Sequence, residues 1–352
     1  MRAFRLATTL ALVAVAVACS DSADSEPVAE PDGAMAARLE AQLSTLAADS
    51  MEGRATGTPG AARAARFLAA ELEKAGVEPA GDDGGYFQAV PIAEVTVEGR
   101  TRMLLPSAEL DFDTLPAASI LTDEVNVLGV IRGSDPDVAG EAVVLGAHFD
   151  HVGIGPAVDG DSIYNGADDD GSGTVAVLEI ARQLVLGEAP RRTVVIVLST
   201  GEEVGLLGTR WYIENPVIPM EQTVADLQIE MVGRPDSIAG GFGRGWLTGF
   251  ERTTMGDQLA AAGSPIVPDT RLEMNFFFRS DNIAFARLGI PAHTLSSYNM
   301  HTDYHTPSDE VEHVDFDHMA ALVEAAVEAV RFLADGPTPE WKPGGMDGLT
   351  GN

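Results

Sequence analysis

The chain has 352 residues, enough for one large or two ordinary domains around a buried core. Its 45% hydrophobic and 22% charged content excludes a mostly disordered protein. A formal charge of -32, with Lys74 and Lys342 the only lysines, repels phosphate backbones and excludes nucleic acid as a partner. Most of that acidity reads as a solvated surface, so the carboxylates that hold something must be located individually.

In chain order, Arg2 and Arg5 precede an apolar stretch from Leu6 to Ala18, short for a membrane span. It runs into Ala16-Val-Ala-Cys19-Ser20, which resembles a bacterial lipobox with Ala where Leu is commoner, and Cys19 is the only cysteine. The expectation is a lipoprotein signal peptide over 1–18, acyl anchoring at Cys19, and a flexible acidic tether over 19–33. A secretory signal cut after a small residue is the plainer alternative. Either way the domain that follows is expected outside the cytoplasm, in the bacterial cell envelope or secreted.

A helix is expected from Ala36 to about Ala48, then a turn-rich link, then a helix over Ala61–Ala75 that stops at Gly76. Short strands are expected in Phe87–Val95 and Val125–Ile131, and Ala142–Ala147 is an apolar β-run that ends at His148. Val175–Leu186 reads as helix and Thr193–Leu198 as the buried strand of a parallel sheet. Gly205–Ile213 is helical, Val224–Ile229 strand-like, Asp281–Leu288 a short helix and Ile290–Leu295 a strand. The amphipathic helix Asp315–Leu333 closes a domain spanning 34–335, with 336–352 expected as a flexible tail. This alternation predicts one three-layer α/β/α sandwich on a mixed, mainly parallel sheet, with sites at the strand ends.

The chemistry-bearing residues fall there. His148-Phe-Asp150 ends one strand, Asp168-Asp-Asp170 precedes a helix, Gly201-Glu-Glu203 follows another strand, and Glu230 closes a third. His301 and His305 lie in a later loop. Zinc takes His nitrogen and carboxylate oxygen, and two zincs about 3.5–4 Å apart need a bridge such as a carboxylate. One of the three aspartates suits that bridge, while Asp170 or Ser172 suits a helix cap. Of Glu202 and Glu203, one can bind metal and the other act as general base. Asp150 is placed to orient His148. One of His301 and His305 completes the set, and His151, His293, His313 and His318 read as structural or exposed. Phe276–Phe278 reads either as a side-chain pocket or as core.

These motifs together resemble the co-catalytic zinc aminopeptidase family (bacterial leucyl aminopeptidases and glutamate carboxypeptidase II-like metallopeptidases, peptidase family M28; glutaminyl cyclases more distantly). The resemblance runs from about Ala36 to Leu333. It is carried by Met51-Glu-Gly-Arg-x-x-Gly-Thr-x-Gly60, His148-x-Asp150, Gly166-Ala-Asp-Asp169, Gly201-Glu-Glu203, Ile229-Glu-Met-Val-Gly233, Ser280-Asp281, Gly289-Ile-Pro291 and His305-Thr-Pro-Ser-Asp309. It implies a zinc exopeptidase holding two Zn2+ per chain. His148 and Glu230 would hold one zinc, Glu203 and His305 the other, with Asp169 bridging, Glu202 as general base and Tyr304 polarising the substrate carbonyl. The chain departs from the family at Glu230, where Asp is common, and at Asn282, where His is common. Peptides are the expected substrates. The rivals are a one-zinc glutaminyl cyclase-like transferase and a non-catalytic, peptide- or metal-binding surface lipoprotein.

Overall fold

The computed structural model describes residues 33–107 and 110–349, so the expected signal peptide, Cys19 anchor and most of the acidic tether lie outside the described residues. Helix α1 (Ala34–Leu46) and α2 (Pro59–Ala75) come first. Strands β1 (Glu78–Pro79), β2 (Phe87–Ala89), β3 (Val125–Ile131) and β4 (Ala142–His148) lead to α3 (Gly173–Leu186). Then follow β5 (Thr193–Ser199), α4 (Leu207–Glu214), β6 (Thr223–Ile229), β7 (Trp246–Leu247), α5 (Met255–Ala261), β8 (Val267–Pro268), α6 (Asn282–Arg287), β9 (Ala292–Ser296) and α7 (Phe316–Asp335).

The main sheet has the order β1-β3-β5-β4-β6-β9-β7-β8, with β2 also paired to β3. Its centre, β5-β4-β6-β9, is parallel, and the antiparallel pairings lie toward the flanks. The fold is therefore the expected α/β sandwich with a mainly parallel central sheet. Period-two alternation builds the layers. Val143, Leu145, Val194, Ile196 and Leu198 pack with α1, α2, α3 and α7, whereas Val144, Val195 and Val197 point the other way, toward Tyr212 of α4 and Phe285 of α6. Strands buried on both faces read as unbroken apolar runs, which is why β4 and β5 are legible in the sequence.

Local chemistry sets the helix ends. The Thr58 side chain accepts the Ala61 N–H and Pro59 starts α2, while Gly76 closes it at φ 79°. Asp315 accepts the His318 N–H at the start of α7. Beside the main sheet, Ile92–Val97 pairs with Arg100–Leu104 and Ile120–Leu121, and Gly153–Val158 pairs with Asp161–Tyr164 in a hairpin. Residues 336–349, expected as a loose tail, are docked on the domain. Thr254 N–H bonds Glu340 O at 2.8 Å, Trp341 Nε1 bonds Gly289 O at 2.7 Å, and Leu349 is buried. The packing therefore continues past Asp335. Among the described residues no helix is long and apolar enough to cross a membrane.

Candidate metal centre

Each candidate residue sits at or just beyond the carboxyl end of a central parallel strand or in a loop packed over those ends. His148 is the last residue of β4, Glu202 and Glu203 follow β5, Glu230 follows β6, and His305 lies in the loop after β9. Asp169 lies in the turn before α3. The chain is folded so that these ends converge. His148, Asp169 and Glu230 form one group of potential ligand atoms, and His151, Asp169, Glu203 and His305 form a second, so Asp169 belongs to both. Asp169 Oδ1 lies 3.6 Å from His148 Nε2 and its Oδ2 lies 3.0 Å from His305 Nε2. One carboxylate thus presents one oxygen to each group, as a bridge between two ions must.

The flanking aspartates do different work. Asp168 Oδ2 accepts His301 Nε2 at 3.0 Å, and its Oδ1 accepts the Ser172 hydroxyl and the Gly233 N–H. His301 is thereby occupied away from the centre. Asp170 Oδ1 accepts the Gly173 N–H that opens α3 and the Met231 N–H that follows Glu230. It thus satisfies the first N–H of α3 from two residues before the N-cap Ser172, and it also fixes the strand end that presents Glu230.

His148 is 2% exposed, and its Nδ1 lies 3.1 Å from the main-chain oxygen of Asp150. A carbonyl only accepts, so Nδ1 donates to it and Nε2 faces Asp169. Burial opposes a charge on this ring, but Glu202, Asp170, Asp150 and Asp169 outweigh it and raise its pKa well above the usual value. The Asp150 carboxylate is farther, 3.8 Å from Nδ1. It instead accepts the Thr56 hydroxyl and the Glu202 N–H, each at 3.1 Å. Asp150 therefore orients His148 through its backbone and holds Glu202 through its side chain.

Electrostatics separate the two glutamates. Burial pushes Glu202 well above the usual carboxylate range, helped by Glu230, Asp281 and Glu203 and opposed by His148. Its Oε2 lies 4.0 Å from His148 Nε2. For Glu203 burial also acts upward, but His151 and His305, each with a ring nitrogen 3.0 Å from Oε1, outweigh it and hold the acid below its ordinary value. Burial pushes Glu230 up to about 7, against the pull of His148 and a hydrogen bond from Ser280. Of the adjacent pair, the surroundings favour the anionic form of Glu203 and the protonated form of Glu202.

His151 was read in the sequence as structural or exposed, and the structure places it among the potential ligand atoms of the second group. It is 1% exposed and faces Glu203 and Asp169. The remaining histidines lie apart from both groups. His293 bonds Thr248 and Thr253, and His318 bonds Ser297 and the Gly243 N–H. Arg54, from the Met51-Glu-Gly-Arg motif, is fully buried and donates to the carbonyls of Phe149, Leu46, Asn165 and Gly166. It ties together the loops that carry His148, His151 and Asp169. Gly53 beside it has φ 63°, and a Cβ there would meet Tyr164 O at 2.4 Å.

Next to Glu230 a cavity of about 40 Å³ is lined by Trp246, Phe276, Arg279, Tyr298 and Tyr304. Tyr304 stacks on His305, with ring centroids 3.9 Å apart. Of the three phenylalanines, Phe276 faces this cavity, whereas Phe277 joins the core beneath α6. Asn282 donates to Phe277 O and accepts the Thr294 hydroxyl, so it braces the wall from behind.

Two groups of potential metal ligands thus share one aspartate at the strand ends of a three-layer sandwich. The chain belongs to peptidase family M28, whose family model matches residues 126–330. It is 28% identical over 233 residues to a vacuolar membrane protease of Aspergillus clavatus, covering 60% of this chain and 22% of that protein. It is 29% identical over 223 residues to leucine aminopeptidase 1 of Penicillium rubens, covering 57% and 55%. A zinc aminopeptidase from Bacillus subtilis has a similar fold, with TM-score 0.60 at 15% identity over 86% of this chain and 95% of that one. The chain thus spans about a fifth of the first of these curated relatives and about half of the second.

Proposed function

We propose that this protein is a zinc-dependent exopeptidase, an aminopeptidase that removes N-terminal residues from peptides. The observation that carries the reading is the bridging position of Asp169 between two ligand groups, with Glu202 beside them. The donor set fits zinc, since it offers imidazole nitrogens and carboxylate oxygens. His148, Asp169 and Glu230 would hold one ion, and Asp169, Glu203 and His305 the other. Bound zinc supplies Lewis acidity and makes water a nucleophile near neutral pH.

The rest is the work of the chain's own side chains. Glu202 is held by its own backbone N–H on Asp150, and its high proton affinity suits it to take a proton from water and return it to the leaving amine. Tyr304 keeps its proton because burial raises its pKa further above the ordinary tyrosine value, so its hydroxyl is a donor for the substrate carbonyl oxygen. The aromatic cavity beside Glu230 suits an apolar side chain of the N-terminal residue.

Two zincs per chain, anchoring at Cys19 and a place outside the cytoplasm belong to the same proposal. The arginine-led apolar stretch and the Cys19 lipobox support the envelope location. A panel of aminoacyl-p-nitroanilides, each paired with its N-acetylated form, tests the activity. Hydrolysis confined to free-amino substrates is expected. Equal hydrolysis of the blocked forms would overturn the aminopeptidase reading, and cyclisation of N-terminal glutamine without hydrolysis would favour the cyclase rival.

A further inference from the structure

In the second ligand group His151 stands beside the three residues already assigned. Its Nδ1 lies 3.0 Å from Glu203 Oε1 and 3.7 Å from Asp169 Oδ2. His305 Nε2 lies 3.0 Å from each of the same two oxygens. All four atoms are buried, and among the described residues none makes a hydrogen bond, so their contacts are these histidine–carboxylate approaches alone. Two carboxylate oxygens and two ring nitrogens turned toward one point without hydrogen bonds are costly to bury unless a cation sits between them. Zinc bonds of about 2.0–2.1 Å in a tetrahedron place neighbouring ligand atoms about 3.4 Å apart. The four nitrogen–oxygen separations, 3.0 to 3.7 Å, bracket that value, and all four atoms lie within 4.8 Å of one another.

The backbone makes room for the ring. Gly166 has φ 56°, and a Cβ at that position would lie 2.5 Å from His151 Cδ2. Any larger residue at 166 would displace the imidazole.

We propose that His151 is a fourth protein ligand of the metal held by Asp169, Glu203 and His305. The inference rests on the reading of the centre as metal-binding. It makes the centre asymmetric. Four side chains would hold the ion of the His151 group, whereas three, His148, Asp169 and Glu230, would hold the other. Glu202 Oε2 lies 4.0 Å from His148 Nε2. Held by His151 and His305, the first of these ions would fix Asp169 and Glu203 in place, and Glu202 stands nearer the three-residue group, whose ion would supply the activated water.

The test uses the full chain, stripped with chelator and titrated with zinc alone or cobalt alone. Wild type should take up two ions, and His151→Ala should weaken one of the two binding steps by about 100-fold or more, beyond the usual loss for a residue that only supports a ligand. His151→Cys with cobalt should add a thiolate-to-cobalt charge-transfer band in the near ultraviolet that wild type lacks. Unchanged affinity at both steps in His151→Ala, or a folded His151→Cys protein that binds cobalt without that band, would overturn the proposal. A wild-type chain that takes up no metal would overturn the reading of the centre itself.

Discussion

The carboxylate of Asp309 accepts the backbone N–H of Asp169 at 3.0 Å and that of Asp168 at 3.1 Å, reaching them from four residues beyond His305. The loop that delivers His305 is thus bonded directly to the turn that delivers the shared aspartate. Arg234 neutralises Asp309 from the other side, with Nη2 3.2 Å away. Asp309→Asn keeps the size but puts an N–H donor where a backbone donor now points. We expect it to weaken zinc binding by about 10- to 100-fold without removing a ligand, as read by chelator competition. Unchanged zinc affinity would show that the two loops are held in place without this bond.

Glu202 tests the chemistry apart from the metal. Glu202→Gln should retain zinc, because neither ligand group includes Glu202, and should lose about 10²- to 10⁴-fold in kcat. Metal analysis and steady-state kinetics on one preparation check both halves. Wild-type turnover in this variant would remove Glu202 from the mechanism.

Arg54 is a stability prediction. Its guanidinium satisfies four main-chain carbonyls inside the protein, and burial lowers its pKa to about 10 despite nearby aspartates. Arg54→Met leaves those acceptors unpaired and removes the cation facing Asp309 and Asp150, which should cost at least about 3 kcal/mol. Urea unfolding of the zinc-loaded protein measures it, and a loss under about 1 kcal/mol would contradict the clamp role.

The metal-free protein should respond to pH in a stated direction. Burial raises Asp150 to about 6, Glu230 to about 7 and Asp309 to about 6. Unfolded carboxyls titrate near 4, so between about pH 4 and 7 the folded state holds more protons and stability falls as pH rises. His305 adds the same sign at higher pH. Burial opposes its charge, but Asp169 and Glu203 raise it to about 10, so its contribution is complete below about 6.5 and lost toward 10. In chelator, Tm should therefore decline from pH 5 to pH 8. Added zinc displaces these protons, so it should raise Tm more at pH 8 than at pH 5. A chelated protein whose Tm rises over that range would contradict the buried-carboxylate account.

How much of this was legible follows from how each feature is encoded. Strands β4 and β5 are continuous apolar runs, whereas β6 carries Asp226 and Gln228 within it, and His148, Glu202, Glu203 and Glu230 stand next to the ends of these strands, so the sheet and the candidate site could be read together. The split of Asp168, Asp169 and Asp170 was only half readable. A cap at Asp170 is local chemistry, but the pairing of Asp168 with His301 spans 133 residues. His151 escaped because its direction depends on Arg54 and on the bare Cα of Gly166, neither of which gives a periodic signal. Phe276 and Phe277 are neighbours in sequence yet belong to the cavity and the core, a division set by the turn that Asn282 braces. The docking of Trp341 was hidden for the same reason, since its partners Gly289 and Thr253 lie far back along the chain.

The central claim, that a shared-aspartate zinc centre hydrolyses peptides from the amino end, is tested most directly by zinc titration of chelator-stripped enzyme with a free-amino aminoacyl-p-nitroanilide. The account predicts no turnover without metal and full turnover when zinc occupies both groups. Hydrolysis that persists in the stripped enzyme, or none at full zinc occupancy across the panel, would contradict it.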